Sequence, residues 1–187
     1  MVENQEVFVP VNVVLNQNKY KYKFTDFEVD FKDALFDQHF VTFASSDEEL
    51  KLHTDVIPLK NQAKIIWHKN IYTADSSKSK VYLITNEKKK FIGGHWNDKG
   101  INFNIKEFGT YQVLSDNDAP NILLKSLNRN KISFTVRDNL SGIQSINCWI
   151  NNQWVLMNYE YKYGVIWAER LDKTVNFSGN IKLEVID

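Results

Sequence analysis

The segment that decides the fold begins with Phe-Ile-Gly-Gly-His-Trp at residues 91–96 and continues with Ile-Asn-Phe-Asn-Ile at 101–105. Apolar and polar residues alternate in the second run, as they do in a strand that buries one face. Phe-Gly-Thr-Tyr follows at 108–111, and Asp-Asn-Asp-Ala-Pro at 116–120 is typical of a turn or linker. Asp-Asn-Leu-Ser-Gly comes one further alternating run later, at 138–142. The segment therefore predicts the end of one β-module, a short linker and the start of a second.

The same period of two recurs on both sides of this segment, whereas helical periodicity is nearly absent. Short alternating runs separated by turns are typical of antiparallel sandwiches. The sequence therefore predicts an all-β fold of two tandem antiparallel β-sandwich domains, the second immunoglobulin-like. The predicted domains are residues 1–115 and 121–187, with a linker at 116–120. Because Val-Ile-Asp at 185–187 lies inside a predicted strand, we expect the second domain to be truncated at its C-terminus.

Five local features are also predicted. The alternation slips by one residue after Phe24, which indicates a bulge or bend. Ser45–Leu52 resembles one helical turn with a serine cap, and Gly93-Gly94 indicates a bulge or a close backbone approach. Asn151-Asn152 fits a tight hairpin turn, since asparagine tolerates positive φ. Alternating tyrosines over Tyr159–Tyr163 predict a strand with its rings on one face.

Composition excludes several classes of function. Twenty-three basic residues balance twenty-three acidic ones, so the chain has no net field that would attract nucleic acid. Apolar runs are too short for a membrane span, and we expect neither a nucleic-acid nor a membrane partner. The only cysteine, Cys148, alternates with Ile146 and Ile150, which indicates a small buried residue and not a nucleophile.

No motif for a metal, a cofactor or catalysis is found in the sequence. The four histidines are widely spaced and never form His-x-His or His-x-x-x-Asp, and no Gly-x-Ser-x-Gly elbow occurs. We therefore expect this chain to be no enzyme and to need no cofactor. Calcium near the linker stays open, because Asp116, Asp118 and Asp138 supply hard oxygen donors there. The same residues are also good turn formers.

Exposed aromatic residues are the remaining candidates for a ligand-binding site. Tyr159, Tyr161 and Trp154 could stack on sugar rings and so bind peptidoglycan or another glycan, and Tyr163 lies on the same predicted face. Trp and Tyr also fill the cores of small sandwiches, because each buries a large apolar area. The sequence leaves both interpretations open.

The order of several motifs resembles the C-terminal region of lysostaphin-type zinc peptidases of Bacteroidetes. The resemblance covers the chain from about Phe24 onward. It depends on Asp-Ala-Leu-Phe-Asp at 33–37, Gly-Gly-His-Trp at 93–96, Phe-Gly-Thr-Tyr at 108–111, Asp-Asn-Asp-Ala-Pro at 116–120, Asp-Asn-Leu-Ser-Gly-Ile at 138–143 and Asn-Asn-Gln-Trp-Val-Leu-Met-Asn-Tyr at 151–159.

The resemblance implies the non-catalytic tail of a cell-envelope enzyme. The zinc motifs of the family are not found in this sequence, so no catalytic or zinc-binding residue can be transferred to it. We expect an accessory or scaffolding module that orients or stabilises the catalytic domain of its parent protein. The implied location is the cell envelope, whether periplasmic, outer-membrane-associated or extracellular. A peptidoglycan- or glycan-binding module is the alternative.

Overall fold

The computed structural model of the protein describes residues 11–15, 20–54, 56–69, 76–86, 88–170 and 177–187. These residues form antiparallel strands and no helix, so the predicted all-β fold class is confirmed. The chain divides into two compact units, Met1–Asp116 and Asn117–Asp187.

In the first unit, the described strands form two antiparallel sheets. The strands are β1 Val11–Leu15, β2 Lys21–Lys23, β3 Phe27–Asp30, β4 His39–Ser45, β5 Glu49–Leu52, β6 Pro58–Trp67, β7 Ser79–Thr85, β8 Lys88–Gly93, β9 His95–Asn97, β10 Gly100–Glu107 and β11 Gly109–Ser115. One sheet has the order β1-β4-β5-β11-β7-β8 and the other the order β2-β3-β6-β10-β9. Both sheets contribute side chains to one apolar core, which defines a sandwich.

β10 shows why the sequence forms this core. Ile101, Phe103 and Ile105 point inward and are buried, while the residues between them are polar and point outward. This alternation is the pattern of a strand with one solvated face. The core continues across both sheets through side chains such as Phe31, Phe43, Leu50, Leu52, Ile65, Trp67, Leu83 and Tyr111.

The second unit is a smaller sandwich. Its described strands are β12 Asn121–Leu127, β13 Lys131–Arg137, β14 Ser145–Ile150, β15 Gln153–Val155, β16 Asn158–Glu160, β17 Val165–Glu169 and β18 Ile181–Ile186. They form one sheet of order β12-β13-β17-β16 and another of order β15-β14-β18. With β14 and β15 lettered C and C′, and β16 and β17 lettered D and E, the first of these sheets has the A-B-E-D order of an immunoglobulin domain.

The second unit has its own apolar core. Ile132, Val136 and Ile166 of one sheet are buried with Cys148 and Ile150 of the other. Cys148 is buried, as predicted from its apolar strand neighbours, and burial raises the pKa of its thiol. The thiol is therefore in its unreactive protonated form at neutral pH.

One predicted hairpin turn and one predicted bulge are confirmed. Asn151 and Asn152 connect β14 to β15 with φ of 49° and 65°, the left-handed conformation that a two-residue hairpin turn requires. The register of β7 and β8 shifts beside Gly93, which is the predicted bulge. Gly93 itself has φ of 87° and ends β8, after which the chain crosses to the other sheet as β9.

The helical turn predicted over Ser45–Leu52 is wrong. The chain forms a hairpin there, in which β4 pairs with β5. The hydroxyl of Ser46 does accept hydrogen bonds from the backbone N–H groups of Glu48 and Glu49, at 3.2 and 3.1 Å. A serine can cap a tight turn in the same way as a helix, so the capping pattern alone did not distinguish the two.

The phase slip after Phe24 is a complete reversal of the chain. β2 and β3 pair as a hairpin, and Phe24 N–H donates to Phe27 O at 2.9 Å. Tyr22 of β2 and Phe27 of β3 are both buried in the same core. The predicted bend is present, but it turns the strand back on itself.

Candidate functional site

The aromatic candidates of the second unit lie at its surface. Trp154 is 56% exposed on β15, where it is the cross-strand neighbour of Trp149. Its indole N–H donates to the side-chain oxygen of Asn147 at 3.4 Å. Tyr161 is 80% exposed and Tyr159 is 41% exposed. For these three rings the core-filling alternative is wrong, because each leaves much of its surface in contact with solvent.

The tyrosines do not share one strand face as predicted. β16 ends at Glu160, and Tyr161 and Tyr163 lie in the turn that follows. Trp154 belongs to the other sheet of the unit. A depression of about 450 Å³ includes Tyr163 and Trp167 but is not lined by any of the three candidates. The structure therefore does not bring the candidates together in one pocket.

Within the second unit two carboxylates lie close enough to share an ion, and the calcium alternative stays a prediction. A carboxylate oxygen of Asp138 lies within 4.8 Å of one from Asp187. However, Asp138 Oδ2 accepts hydrogen bonds from the N–H groups of Leu140 and Gly142, at 2.8 and 2.7 Å. The carboxylate thus closes a turn. Calcium takes six to eight oxygen ligands, and backbone carbonyls and waters can supply those that carboxylates do not.

A cleft in the first unit is a stronger candidate site, and the sequence interpretation did not include it. Its volume is about 700 Å³, which is in the range of small-molecule sites. Most of its lining residues belong to β6, β8, β9 and β10, and β8 is part of the other sheet. It is lined by Gln62, Lys64, Lys90, Phe91, Ile92, Gly94, His95, Trp96, Asn97, Asn102, Phe103, Asn104, Lys106, Glu107 and Tyr111.

The polar part of the cleft is built by the outward face of β10 and its neighbour β6. Asn102, Asn104 and Lys106 alternate with the buried residues of β10 and so project from one face. Lys64 is the cross-strand partner of Asn104, and the amide of Gln62 lines the same surface. Strand alternation and register therefore place three amides and two ammonium groups side by side.

Charge in the cleft is positive. Among the described residues that line it, three lysines outnumber one carboxylate, that of Glu107, which forms an ion pair with Lys90. In the part of the chain that the structure describes, Lys64 and Lys106 take part in no ion pair. Asp30 is opposite Lys64 on the next strand, but its ion pair is with Lys21, at 3.7 Å. Lys64 and Lys106 therefore present charge to solvent.

Aromatic side chains form the apolar part of the cleft. Phe91 is 48% exposed, and one edge of it contacts the Tyr82 ring, with the centroids 5.5 Å apart. Trp96 is held by its indole N–H, which donates to Ser79 O at 2.8 Å. Deeper in the cleft, burial raises the pKa of Tyr111, whose hydroxyl donates to Glu107 O at 2.5 Å. This phenol is neutral at physiological pH and serves as a fixed hydrogen-bond donor.

One sequence signal could have located this cleft. Asparagine is unfavourable in strands, yet two asparagines and a lysine occupy all the outward positions of β10 between residues 102 and 106. The contributions of β6 and β8 could not be inferred, because they depend on which strands become neighbours.

Comparison with known proteins identifies the first unit. A family model described as Zu5-like domain matches residues 13–116, more than half of the 187-residue chain. The matched region contains every residue that lines the cleft. No curated protein and no solved structure matches the chain. The described residues include no apolar helix of the length needed to cross a bilayer.

Proposed function

The chain belongs to the Zu5-like domain family, and from this premise we propose that it is a non-catalytic accessory module of a peptidoglycan-directed metallopeptidase. In this role it orients or stabilises the catalytic domain of its parent protein at the cell envelope. The peptidase context follows from the motif order that resembles lysostaphin-type enzymes. Two all-β units with separate cores support a scaffolding role.

The observation that carries the proposal is the apolar edge strand β12. All seven of its residues are exposed, and Leu123 is 62% exposed. β12 is the outermost strand of its sheet, so one row of its backbone N–H and C=O groups faces away from β13. Exposed edges of this kind pair readily with another strand. The proposed occupant is the catalytic domain of the parent protein.

The test uses the full-length gene product and lysine substitutions on β12. The double substitution Leu123→Lys with Leu124→Lys should lower the rate of peptidoglycan hydrolysis or the thermal stability of the gene product, because a charged edge prevents strand pairing. The matched control is Leu156→Lys, since Leu156 is as exposed but lies between β15 and β16. Equal hydrolysis and equal stability in the β12 variant and its parent would refute the scaffold, as would a gene product that does not hydrolyse peptidoglycan.

The exposure of Trp154 and Tyr161 favours a second candidate function, the binding of peptidoglycan or another glycan. Flat rings that are already at the surface can stack on sugar faces without rearrangement. The chain should then co-sediment with insoluble peptidoglycan. Trp154→Ala and Tyr161→Ala should each reduce the pelleted fraction, whereas Phe40→Ala, at an exposed ring of the first unit, should not. A chain that stays in the supernatant rules this function out.

A further inference from the structure

We propose that the cleft of the first unit binds an acidic saccharide, that is, a short sugar chain that carries carboxylate groups. The proposal rests on the cleft residues alone and stands whether or not either function above holds. It assigns a ligand class to a surface that is remote in sequence from Trp154 and Tyr161.

Size is the first argument. A volume of about 700 Å³ accommodates a small ligand, and β6 and β10 make the floor a regular sheet surface. Side chains that project from paired strands are held more rigidly than side chains on loops. A ligand would therefore contact groups that are already in position.

Charge is the second argument. Lys64 and Lys106 form no ion pair with a described carboxylate, although Asp30 is opposite Lys64, and Lys90 is already paired with Glu107. A carboxylate that enters the cleft would provide the missing counter-charge. The chain as a whole has no net charge, so this local excess does not indicate a long polyanion such as nucleic acid.

Hydrogen-bonding capacity is the third argument. Each amide side chain both donates and accepts, as neighbouring hydroxyl groups on a sugar ring require. The side chains of Gln62 and Asn104 make no hydrogen bond to another described residue, and Asn102 makes one long contact, to His95 O at 3.5 Å. Three amides on one face therefore offer paired donors and acceptors that the fold itself does not use.

The exposed ring of Phe91 is the fourth argument. Phe91 lines the cleft together with the amides and lysines, and about half of its surface is open to solvent. An aromatic face stacks on the apolar C–H face of a pyranose. A free phosphate or a simple carboxylic acid would have no use for this ring. Amides, ammonium groups and an open aromatic ring together fit a carboxylated sugar best.

The experiment measures chemical-shift changes and affinity by NMR on the intact chain. The probes are oligomers of galacturonate and of glucuronate and a disaccharide with N-acetylmuramic acid, with maltotriose as the neutral sugar and triglutamate as the non-sugar anion. At least one acidic sugar should shift amides of residues 62–64 and 102–106. Its affinity should exceed those of maltotriose and triglutamate, and added salt should weaken it.

Matched substitutions then locate the binding site. Lys64→Gln with Lys106→Gln should weaken binding about tenfold, since each solvated ion pair contributes a factor of roughly two to five. Lys51→Gln, on the exposed face of the other sheet, should change nothing. Phe91→Leu should also weaken binding, and Phe40→Leu is its control.

Three results would overturn the proposal. The first is that no acidic sugar shifts the cleft residues at millimolar concentration. The second is that triglutamate binds as well as the sugars, which would indicate a generic anion site. The third is equal loss of binding in Lys51→Gln, because the attraction would then be a diffuse surface effect.

Discussion

Gly100 shows how closely the backbone of the first unit is packed at the start of β10. Its φ is 128°, and a Cβ atom built there would lie 2.0 Å from Trp67 O and 2.7 Å from Lys69 N. Both atoms belong to the backbone and cannot move aside as a side chain could. Gly100→Ala should therefore destabilise the first unit by more than about 3 kcal/mol, which combines left-handed strain with the clash.

Gly93→Ala is the matched control for this substitution. Gly93 also has positive φ, but an added Cβ would meet nothing closer than 3.6 Å, on the Phe91 ring. Gly93→Ala should therefore lower the free energy of unfolding only by the conformational strain, about 1–2 kcal/mol. Urea denaturation followed by tryptophan fluorescence measures both. Equal losses in the two variants would mean that strain, and not the close approach, decides the cost.

Cys148 gives a second prediction for a single residue. It is buried in the core of the second unit, and burial raises the pKa of its thiol. The thiolate is the reactive form, so both access and ionisation disfavour modification in the native state. A thiol reagent such as DTNB should react slowly with the folded chain at pH 7 and rapidly in urea. Rapid reaction without denaturant would contradict the described core.

At the scale of elements, the β14–β15 hairpin depends on two asparagines with different roles. Asn152 contributes φ of 65°, and no side-chain hydrogen bond from it is described. Asn152→Gly should therefore stabilise the second unit by about 0.5 kcal/mol, because glycine adopts this conformation without strain. Its neighbour Asn151 donates to Ser178 O at 2.7 Å and accepts from Asn180 N–H at 3.1 Å.

Asn151→Gly should have the opposite sign. It removes both contacts and should cost about 1–2 kcal/mol, since each lost hydrogen bond is worth roughly 1 kcal/mol. Chemical denaturation monitored by Trp149 and Trp154 fluorescence distinguishes the two variants. If both substitutions stabilise the unit, the hydrogen bonds to the segment before β18 contribute nothing.

The elements differ in how well the sequence predicts them. β10, β13, β14 and β18 follow from the alternation of their sequences, and in each strand the apolar residues of one face are part of a core or pack against it. Ser45–Leu52 was mistaken for helix, since local capping chemistry is shared by turns and helix starts. β17 does not show this alternation, because Val165 and Trp167 on its outward face are apolar too. In both segments the secondary structure depends on contacts with neighbouring strands, which a local sequence pattern does not specify.

At the scale of the whole molecule, charge balance sets the solution behaviour. The isoelectric point is about 6.9, so the net charge vanishes close to neutral pH. Molecules without net charge repel one another least, and exposed apolar strands such as β12 can then associate. Light scattering should show the strongest self-association near pH 7 and weaker association about two pH units to either side. Scattering that is independent of pH would contradict this.

The candidate site illustrates what a single sequence cannot supply. The exposure of Trp154 and Tyr161 follows from the short edge strand and turn that carry them, and neither could be located from aromatic spacing alone. The cleft joins residues 62–64, 90–97 and 102–107, which become neighbours only through sheet order. The alternation of polar residues can be read from the sequence, but the proximity of these three segments in the fold cannot.

The crossing from β8 to β9 has a consequence for any molecule that enters the cleft. Only Gly94 separates the two strands, so two of the strands that line the cleft are connected by a single residue. Such a short tether leaves the two strands little freedom to move apart, and we therefore expect the width of the opening to vary little. An incoming molecule would lose little free energy to ordering the walls. The cleft should therefore bind rigid ligands of matching width more tightly than flexible ligands of similar chemistry.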